Sequence, residues 1–393
     1  MTKLEQLIEE LCPNGVEFKK IKDVFQRLKG TPITAGKMKE IENPNGEIKI
    51  FAGGKTVINA NEADIPNANI TRVPAVLVQS RGVIDVVYYE KPFTFKNEMW
   101  AYTTDNKTTV KYLYYVLKNN IQHFRDAASG MGSLPQISLP VTEEFYVPVP
   151  PLPVQSEIVR ILDNFTELTA ELTAELTARK KQYEYYNNIL LSFDNAEYKT
   201  LEELCDIVDY RGKTPRKVDD GIFIVTAKNI RKGFIDYDKS KEYISPEDYD
   251  EVMHRGLPKI GDVLITTEAP CGNVAQIDNE KIALAQRVIK YRPKSNNLNS
   301  TFLKYILLGK EFQDKLERAA TGGTVKGIKG SKLHQLTIPV PSIEDQERIV
   351  AILDRFDTLC NDISTGLPAE IAARQKQYEY YRDMLLTFKE ASV

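Results

Sequence analysis

Two short segments that combine glycine with lysine come closest to a phosphate-binding motif in this sequence. They read GGKT at 53–56 and RGKTP at 211–215. A nucleotide-binding loop of the form G-x-x-x-x-G-K-S/T needs an earlier glycine, but that position holds Lys49 in the first segment and Ile207 in the second. Neither segment is expected to bind a nucleotide, and both remain candidates for simpler contacts with phosphate groups.

Other catalytic patterns are absent from the sequence. No G-x-G-x-x-G, G-x-S-x-G or H-E-x-x-H segment occurs, nor the N-P-P-Y/F segment with which amino-methyltransferases hold a target base. The histidines and cysteines lie far apart, without the spacing of metal ligands: His123, His254, His334, Cys12, Cys205, Cys271 and Cys360. We therefore predict no catalytic residue, no metal site and no cofactor in this chain.

The composition is that of an ordinary globular protein. Of 393 residues, 42% are hydrophobic and 27% charged, and 52 basic against 55 acidic side chains leave a net charge of −3. This length predicts two or three domains, and no apolar run approaches the length of a membrane span. Acidic residues near the N-terminus argue against a signal peptide, and scattered cysteines indicate a reducing compartment. We expect a cytoplasmic protein with no membrane partner.

Positive charge is concentrated in a few loops although the total charge is slightly negative. Residues 18–39 carry seven Lys or Arg against the single acid Asp23, and residues 319–343 carry no acid at all. The segment 211–217 adds four more basic side chains. Any one of these lysines is explained more simply as a solvated surface residue. Clusters in corresponding loops of both halves, however, favour contacts with nucleic-acid phosphates and base edges.

The two halves of the sequence repeat each other. The block RKKQYEYYNNILLSF at 179–193 recurs as RQKQYEYYRDMLLTF at 374–388, with 10 of 15 positions identical. Upstream, IVRILDNF at 158–165 recurs as IVAILDRF at 349–356, with 6 of 8 positions identical, and a proline-rich lead-in precedes each copy. The repeat predicts four parts: a globular domain at 1–147, a helix at 148–196, a second globular domain at 197–338 and a second helix at 339–393.

Both globular parts are predicted to belong to the α+β class. Short β-rich runs occur at 48–52, 75–80 and 83–89 in the first part, and at 223–227, 262–267, 273–277 and 288–293 in the second. Gly, Pro and Asn separate these runs at short intervals, which is typical of sheets that carry long functional loops.

The two helical parts are predicted to form a coiled pair. Apolar residues follow one another at three- and four-residue steps in both parts, which places a stripe along one helix face. Gly366 and Pro368 should interrupt the second helix near its middle. The residues predicted to face the other helix or a partner are Leu168, Leu172, Leu176, Tyr183, Tyr186, Ile363, Tyr378 and Tyr381.

The first helical part also contains a four-residue repeat. The segment TELTAELTAELTA at 166–178 holds two full TAEL units. Because a helix turns every 3.6 residues, a four-residue repeat spreads its leucines around the axis, and an ordinary helix of good helix formers explains it. The alternative is a spacer whose length changes by about 6 Å per unit, which corresponds to about one to two base pairs of DNA.

Together these features resemble the specificity subunit of type I restriction–modification enzymes over essentially the whole chain. The resemblance is carried by the duplicated R-K/Q-K-Q-Y-E-Y-Y blocks, by the lead-ins around Gln155 and Gln346, and by the TAEL units, which are typical of one subclass. It implies a non-catalytic subunit with two target-recognition domains, each of which reads one half of an asymmetric, split site in double-stranded DNA. The helices would pack as an antiparallel coiled coil in a pseudo-two-fold arrangement.

The resemblance also implies partner proteins. Two methyltransferase subunits that carry S-adenosylmethionine would dock on the helices, and motor–nuclease subunits that use ATP and Mg would add cleavage. A second hypothesis is a helical scaffold that bridges proteins without binding DNA. The scaffold explains the duplicated helices, but it does not explain basic loops in both halves.

Candidate DNA-binding residues follow from their positions in loops similar to those of the family. In the first domain they are Gly53, Gly54, Lys55, Thr56, Gln79, Ser80, Arg81, Lys96 and Asn97. In the second domain they are Arg211, Lys213, Thr214, Arg216, Lys228, Asn229, Arg231, Thr267, Glu268, Gln286, Arg287, Thr324 and Lys326. The first domain departs more from a recognisable pattern. The resemblance does not imply a particular DNA sequence, because the recognition regions of the family vary freely.

Overall fold

Two compact units divide the chain in the computed structural model. The first unit comprises Met1–Thr173 and Ile371–Val393, and the second comprises Ala174–Glu370. The structure describes residues 2–54, 56–128, 134–210, 215–323, 326–362 and 364–391. Because the divisions fall inside helices, each unit contains helical segments from both copies of the sequence repeat.

The first unit consists of short strands and helices that lead into a long helix. Its strands are β1 (Phe18–Lys20), β2 (Gln26–Leu28), β3 (Ile48–Phe51), β4 (Val57–Ala60), β5 (Ala75–Gln79), β6 (Asp85–Tyr89), β7 (Phe93–Phe95), β8 (Trp100–Thr103) and β9 (Tyr146–Pro148). Its helices are α1 (Lys3–Leu11), α2 (Ile21–Val24), α3 (Ala35–Ile41), α4 (Lys107–Asn119), α5 (Ile121–Asp126), α6 (Leu139–Glu143) and the first part of α7 (Leu152–Leu190), with a 3-10 helix at Glu62–Asp64.

The second unit begins within α7 and repeats this plan. Its strands are β10 (Glu197–Thr200), β11 (Cys205–Asp209), β12 (Ile222–Val225), β13 (Tyr243–Ile244), β14 (Val263–Thr266), β15 (Val274–Gln276), β16 (Ile282–Leu284), β17 (Val288–Pro293) and β18 (Thr337–Val340). Its helices are α8 (Leu201–Leu204), α9 (Tyr249–Val252), α10 (Ser300–Leu308), α11 (Lys310–Ala319), α12 (Gly330–His334), α13 (Ile343–Asn361) and the start of α14 (Leu367–Leu385), with a 3-10 helix at Pro246–Asp248.

The sheets of the two units have the same topology. In the first unit, four strands pair in the order β2-β8-β5-β6, three pair in the order β4-β3-β7, and β1 pairs with β9. The second unit has the orders β11-β17-β14-β15 and β13-β12-β16, and β10 pairs with β18. Each three-stranded sheet contains one parallel pair, β3 with β7 and β12 with β16. The duplication seen in the helical blocks therefore extends through the sheets, and the predicted α+β class is confirmed.

The central strand β5 is buried on both faces, which explains its continuous apolar sequence. Val76 and Val78 pack in a core with helix residues such as Ile158. Leu77, which points to the other face, packs with Phe93 in the core between the two sheets. Strand β14 divides two cores of the second unit in the same way. Each four-stranded sheet therefore has one face packed against helices and the other against the three-stranded sheet of its unit.

Each unit is completed by two helical segments that come from different copies of the repeat. In the first unit, the Phe165 ring stacks on Tyr381 with their centroids 5.5 Å apart, and Tyr378 lies beside it at 6.5 Å. In the second unit, the equivalent ring of Phe356 stacks on Tyr183 and Tyr186 with centroids 5.9 and 5.6 Å away. These partners occur in opposite order along the chain, in agreement with the predicted antiparallel pair.

A partly buried hydrogen bond anchors each of these helical pairs to its own domain. The hydroxyl of Tyr115 on α4 donates to Asp163 Oδ1 at 2.5 Å, and the hydroxyl of Tyr305 on α10 donates to Asp354 Oδ1 at 2.5 Å. Burial, and then the neighbouring carboxylate, raise the pKa of both phenols well above the usual value. Both tyrosines therefore stay protonated and donate.

The second helical part is interrupted between α13 and α14, near Gly366 and Pro368 as predicted. In the turn, the carboxylate of Asp362 accepts hydrogen bonds from the backbone and hydroxyl groups of Ser364 and Thr365. These bonds hold the pKa of Asp362 well below its usual value. The turn is therefore built by specific contacts and is not a frayed helix end.

Replacing Gly366 by alanine should destabilise the protein. The added β-carbon would lie 2.4 Å from the Thr358 carbonyl oxygen and 2.7 Å from that of Asp362, so the backbone must shift at a cost of about 1–3 kcal/mol. Gly36→Ala is the matched control, because the nearest atom to its added β-carbon is 4.0 Å away and alanine favours a helix. Urea unfolding should give a lower midpoint for G366A only. A G366A midpoint equal to that of the wild type would contradict this account.

Candidate nucleic-acid interface

The loops predicted to bind DNA leave the sheets of each unit at one edge. In the first unit, β3 and β7 end side by side, because the Lys96 N–H donates to the Phe51 carbonyl oxygen at 2.9 Å. The carboxyl ends of parallel strands meet at the same edge of a sheet, so the following segments are neighbours. In the second unit, the Ala285 N–H donates to the Val225 carbonyl oxygen at 3.0 Å, and β12 and β16 end together in the same way.

Strand β5 delivers a third loop to this edge of the first unit. The Gly54 N–H donates to the Arg81 carbonyl oxygen at 2.9 Å, and the Ile137 N–H donates to the Ser80 carbonyl oxygen at 3.0 Å. The segment before β4, the segment after β5 and the segment before α6 are thus joined by backbone hydrogen bonds. The structure brings together loops that lie far apart in the sequence.

Glu98 fastens the loop cluster of the first unit. One carboxylate oxygen accepts the Gly53 N–H at 3.2 Å, and the other lies 2.9 Å from Lys96 Nζ. The Glu98 carbonyl oxygen accepts a hydrogen bond from the Ser80 hydroxyl. A β-carbon on Gly53 would lie 3.0 Å from the Glu98 carboxylate, so glycine allows this close approach. The resemblance places a reading loop at Lys96–Glu98, but only Lys96 and Asn97 were predicted as DNA contacts, and the structural part of Glu98 was not predicted.

The predicted contact residues of the first unit divide into exposed and buried side chains. The exposed ones are Thr56, Arg81 and Asn97. Gln79 and Ser80 are buried, so their side chains pack beneath the loop surface and are not available for DNA. Gly53, Gly54 and Lys96 are half-buried within the cluster, and Lys55 lies outside the described residues.

In the second unit, Arg287 links the segment that follows β16 to the segment that follows β14. We call these segments, which contain Gln286, Arg287, Thr267 and Glu268, the Arg287 cluster. The Arg287 carbonyl oxygen accepts the Thr267 N–H at 2.9 Å, and its Nε lies 2.5 Å from Glu268 Oε1. Its backbone has φ +69°, a left-handed conformation that is uncommon for a residue with a side chain. Backbone and side chain both fix Arg287, yet 56% of the side chain remains exposed. This arrangement presents a pre-oriented guanidinium to solvent.

Asn229 has a structural position in the second unit. It is fully buried, its amide donates to the carbonyl oxygens of Asp236 at 3.1 Å and of Lys239, and its amide oxygen accepts from the Thr226 hydroxyl at 2.7 Å. The side chain therefore shapes the connection between β12 and β13. Its burial leaves no polar atom of the amide directed to solvent.

The other predicted residues of the second unit differ in their surroundings. The ones that are exposed or half-exposed are Arg216, Lys228, Arg231, Thr267, Glu268, Gln286, Arg287 and Lys326. Among them, Arg231 lies 3.3 Å from Asp236, and Lys326 lies 2.5 Å from Glu317, whose pKa it lowers. Arg216 precedes a bridge to β13 and is not joined to the Arg287 cluster by a hydrogen bond within the described ranges. Arg211, Lys213, Thr214 and Thr324 lie outside the described residues.

The basic stretch 18–39 is less available for DNA than its composition suggests. Lys20 and Lys22 both bind the carboxylate of Glu144, and Arg27 lies 3.2 Å from Glu143. Hydrogen bonds from Lys20 and then Lys22 lower the pKa of Glu144. These cations are already paired within their own unit, which narrows the basic surface expected from the sequence.

The tyrosines predicted to face the other helix or a partner pack within the helical pairs. Tyr378 and Tyr381 contact Phe165, while Tyr183 and Tyr186 contact Phe356. Tyr186 keeps 39% of its surface exposed, and the other three rings are half-buried. The leucines of the four-residue repeat, Leu168, Leu172 and Leu176, are half-buried, and Ile363 lies outside the described residues.

A different pair of side chains is exposed in each copy of the block. Tyr185 and Tyr380, at equivalent positions, are 62% and 66% exposed. One helical turn later, Ile189 and Met384 are both 51% exposed. The sequence signal for these exposed positions was the middle tyrosine of each Y-E-Y-Y block. In a helix, this residue lies on a different face from the first and last tyrosines of the block.

No group of three or more His, Cys, Asp or Glu could hold a metal ion within the described ranges. All four cysteines are free thiols. In the part of the chain that the structure describes, no helix is both long and apolar enough to cross a membrane.

Two α+β units with matched loop clusters, completed by helices from both copies of a repeat, define a tandem recognition protein. The sequence matches the family described as "Type I restriction modification DNA specificity domain" at residues 13–179 and again at 194–373. The chain belongs to the type I restriction–modification DNA specificity family. The prediction of a non-catalytic specificity subunit is confirmed, and the scaffold hypothesis is not favoured.

Similar proteins agree with this family. The EcoR124I/EcoR124II specificity subunit of Escherichia coli is 40% identical over 310 residues, which cover 72% of each chain. A putative type I specificity subunit of Haemophilus influenzae is 33% identical over 315 residues, covering 75% of this chain and 77% of the relative. The crystal structure of the S subunit from M. genitalium has a TM-score of 0.61 at 16% identity, over 95% of this chain and 96% of that one. This last similarity concerns the fold.

Replacing Glu98 by alanine should weaken specific DNA binding by about tenfold, because a hydrogen bond to a charged group is lost and the loops separate. Glu98→Gln keeps an acceptor for the Gly53 N–H and should bind nearly as well as the wild type. Glu42→Ala, an exposed carboxylate of the same unit, serves as the control. Fluorescence anisotropy with the recognised duplex measures all three. Tighter binding by both Glu98 variants would contradict the fastening role, because it would show that the carboxylate only repels phosphates.

Proposed function

We propose that the chain reads a split, asymmetric site in double-stranded DNA, with one half-site at the loop cluster of each unit. The observation that carries this proposal is that equivalent strands of the two units end at the same sheet edge, so that their loops leave the sheets side by side in both units. The side chains at that edge differ, with Lys96 and Glu98 in one unit and Arg287 and Glu268 in the other. Loops at the same sheet edge with different side chains suit two half-sites of different sequence.

The exposed side chains have the chemistry of base and phosphate recognition. An arginine that is held through Nε keeps its two terminal amino groups for the O6 and N7 acceptors of guanine, and Arg287 is held in this way. An exposed asparagine such as Asn97 fits the N6 and N7 groups of adenine. Exposed cations such as Arg81 and Lys228 suit phosphate contacts, which position the protein without reading sequence.

The catalytic steps belong to partner subunits in this proposal. Two methyltransferase subunits with S-adenosylmethionine would dock on the helices, and motor–nuclease subunits would use ATP and Mg to cleave unmodified DNA. The complex would act on chromosomal and incoming DNA in the cytoplasm. This division of labour agrees with the absence of catalytic motifs from the sequence.

Mapping the methylated adenines in DNA modified by the assembled complex tests the proposal. We expect one motif that consists of two different half-sites separated by a fixed number of unspecified base pairs. A continuous motif, or modification without any sequence preference, would contradict two readers on one chain. The purified chain alone should neither methylate nor cut.

Shortening α7 by one TAEL unit should shorten the spacer between the half-sites. The hydroxyls of Thr169 and Thr173 donate to the carbonyl oxygens four residues earlier at 2.8 and 2.7 Å, so the repeat lies in continuous helix. Deleting 173–176 removes about 6 Å of helix, or about one to two base pairs. The length-preserving control Glu171→Ala should leave the methylated motif unchanged. An unchanged spacer after the deletion would support the ordinary-helix explanation.

The exposed pairs Tyr185 with Ile189 and Tyr380 with Met384 should dock the two methyltransferase subunits. Each pair places an aromatic ring and an apolar side chain one turn apart, and aromatic anchors dominate many interfaces. Alanine at Tyr185 and Ile189 should leave a complex with one methyltransferase, and alanine at all four positions should leave none. Mass photometry measures this stoichiometry. Tyr146→Ala, an exposed tyrosine elsewhere, is the control, and full assembly by the fourfold variant would refute the docking role.

A further inference from the structure

A tight hairpin projects from the connection between β12 and β13 in the second unit. Ile230 and Ile235 pair across it as an antiparallel bridge, and its tip is the segment 231–234, with the sequence RKGF. The N–H of the first tip residue donates to the carbonyl oxygen of the last at 2.9 Å, which closes the turn. The equivalent connection of the first unit, 52–56, is too short to form such a hairpin.

The hairpin is held rigidly against the sheet. Gly233 adopts φ +102°, a conformation that favours glycine, and its N–H donates to the Val274 carbonyl oxygen at 2.8 Å. The amide of Asn273 donates to the Ile230 carbonyl oxygen at 2.8 Å, and Ile230 is fully buried. The buried Asn229 braces the base of the hairpin from within. The tip therefore has a fixed position.

This position is the sheet edge of the Arg287 cluster. Val274 begins β15, and the Thr266 N–H donates to the carbonyl oxygen of the preceding residue, Asn273, at 2.9 Å. Thr267 and Glu268 follow directly in the sequence. The hairpin tip and the predicted reading loops thus leave the same end of β14 and β15.

Phe234 is 57% exposed at this tip. A single exposed apolar side chain needs no partner by itself. Phe234, however, lies within the segment 228–241, which carries five Lys or Arg against two Asp. Arg231 pairs with Asp236 and Lys241 pairs with Asp238, so the segment keeps a net charge of +3. A rigid aromatic ring among cations, beside reading loops, fits a nucleic acid better than it fits an apolar protein surface.

We propose that Phe234 wedges between neighbouring base pairs of the half-site read by the second unit, while Lys228 and Lys232 hold the adjacent phosphates. Apolar wedges of this kind unstack a base step and bend the duplex, and stacking on an aromatic ring is sequence-tolerant. The wedge adds recognition through deformability to the base contacts of Arg287. This inference rests on the proposed function, because it assigns a further contact to the same DNA-binding edge.

The test uses the complex of the full chain with its methyltransferase partners and duplexes that carry 2-aminopurine at single positions of the second half-site other than the methylated adenine, because a methyltransferase flips that base out of the stack by itself. The wild-type complex should raise the fluorescence at one step severalfold, because unstacked 2-aminopurine is brighter. Phe234→Ala should abolish this rise and weaken specific affinity by about tenfold. Phe234→Trp should retain both signals. Lys232→Ala should keep the fluorescence rise and reduce the slope of affinity against salt by about one.

Leu257→Ala is the matched control, since Leu257 is 53% exposed in the same unit but lies ahead of the opposite end of β14. Equal fluorescence and affinity for Phe234→Ala and the wild type would overturn the wedge while leaving the proposed function intact. Loss of a methyltransferase subunit from the Phe234→Ala complex, with normal DNA binding by the assembled remainder, would overturn it in favour of a protein contact. A wild-type complex without site-specific binding would overturn the proposed function and the wedge together.

Discussion

Both units depend on the stacking of one phenylalanine against tyrosines from the other copy of the sequence repeat. In the first unit, Phe165 on α7 packs against the rings of Tyr378 and Tyr381 on α14. Two residues earlier on the same helix, Asp163 accepts the Tyr115 hydroxyl and so anchors α4, which covers one face of the sheet. Aromatic stacking thus completes a core that the first 147 residues do not complete alone, and it fixes the sheet whose edge carries the loops.

The two units share the same sheets and differ in the contacts that hold their loops. Equivalent strands pair in equivalent order in both units, so the loops always leave at the same edge. The loops themselves are held by different means, with Glu98 as a fastener in one unit and the Arg287–Glu268 pair in the other. The β12–β13 connection of the second unit adds a rigid hairpin. A scaffold of this kind can change its recognised sequence without any change in its core.

Sequence reasoning located the apolar strands and the interrupted helix, because periodicity and glycine or proline signals are local. Three-residue strands such as β1 and β9 escaped it, since their pairing joins segments more than a hundred residues apart. The same distance hid the pairing of Lys20 with Glu144. Within loops, no pattern showed that Ser80 and Asn229 are buried. The exposure of Tyr185 could have been predicted from helical spacing, but the prediction concentrated on Tyr183 and Tyr186, which lie in the apolar stripe.

Hydrogen–deuterium exchange of the assembled complex, with and without its recognised DNA, tests the central claim that each unit binds one half-site at one sheet edge. Bound DNA should slow exchange at 79–84 and 96–100 in the first unit and at 266–268 and 286–288 in the second. Residues 255–261, ahead of the other end of β14, should exchange equally in both states. Duplexes with only one half-site should protect only one unit. Protection of 255–261 in place of the loop edges, or of both units by a single half-site, would contradict the account.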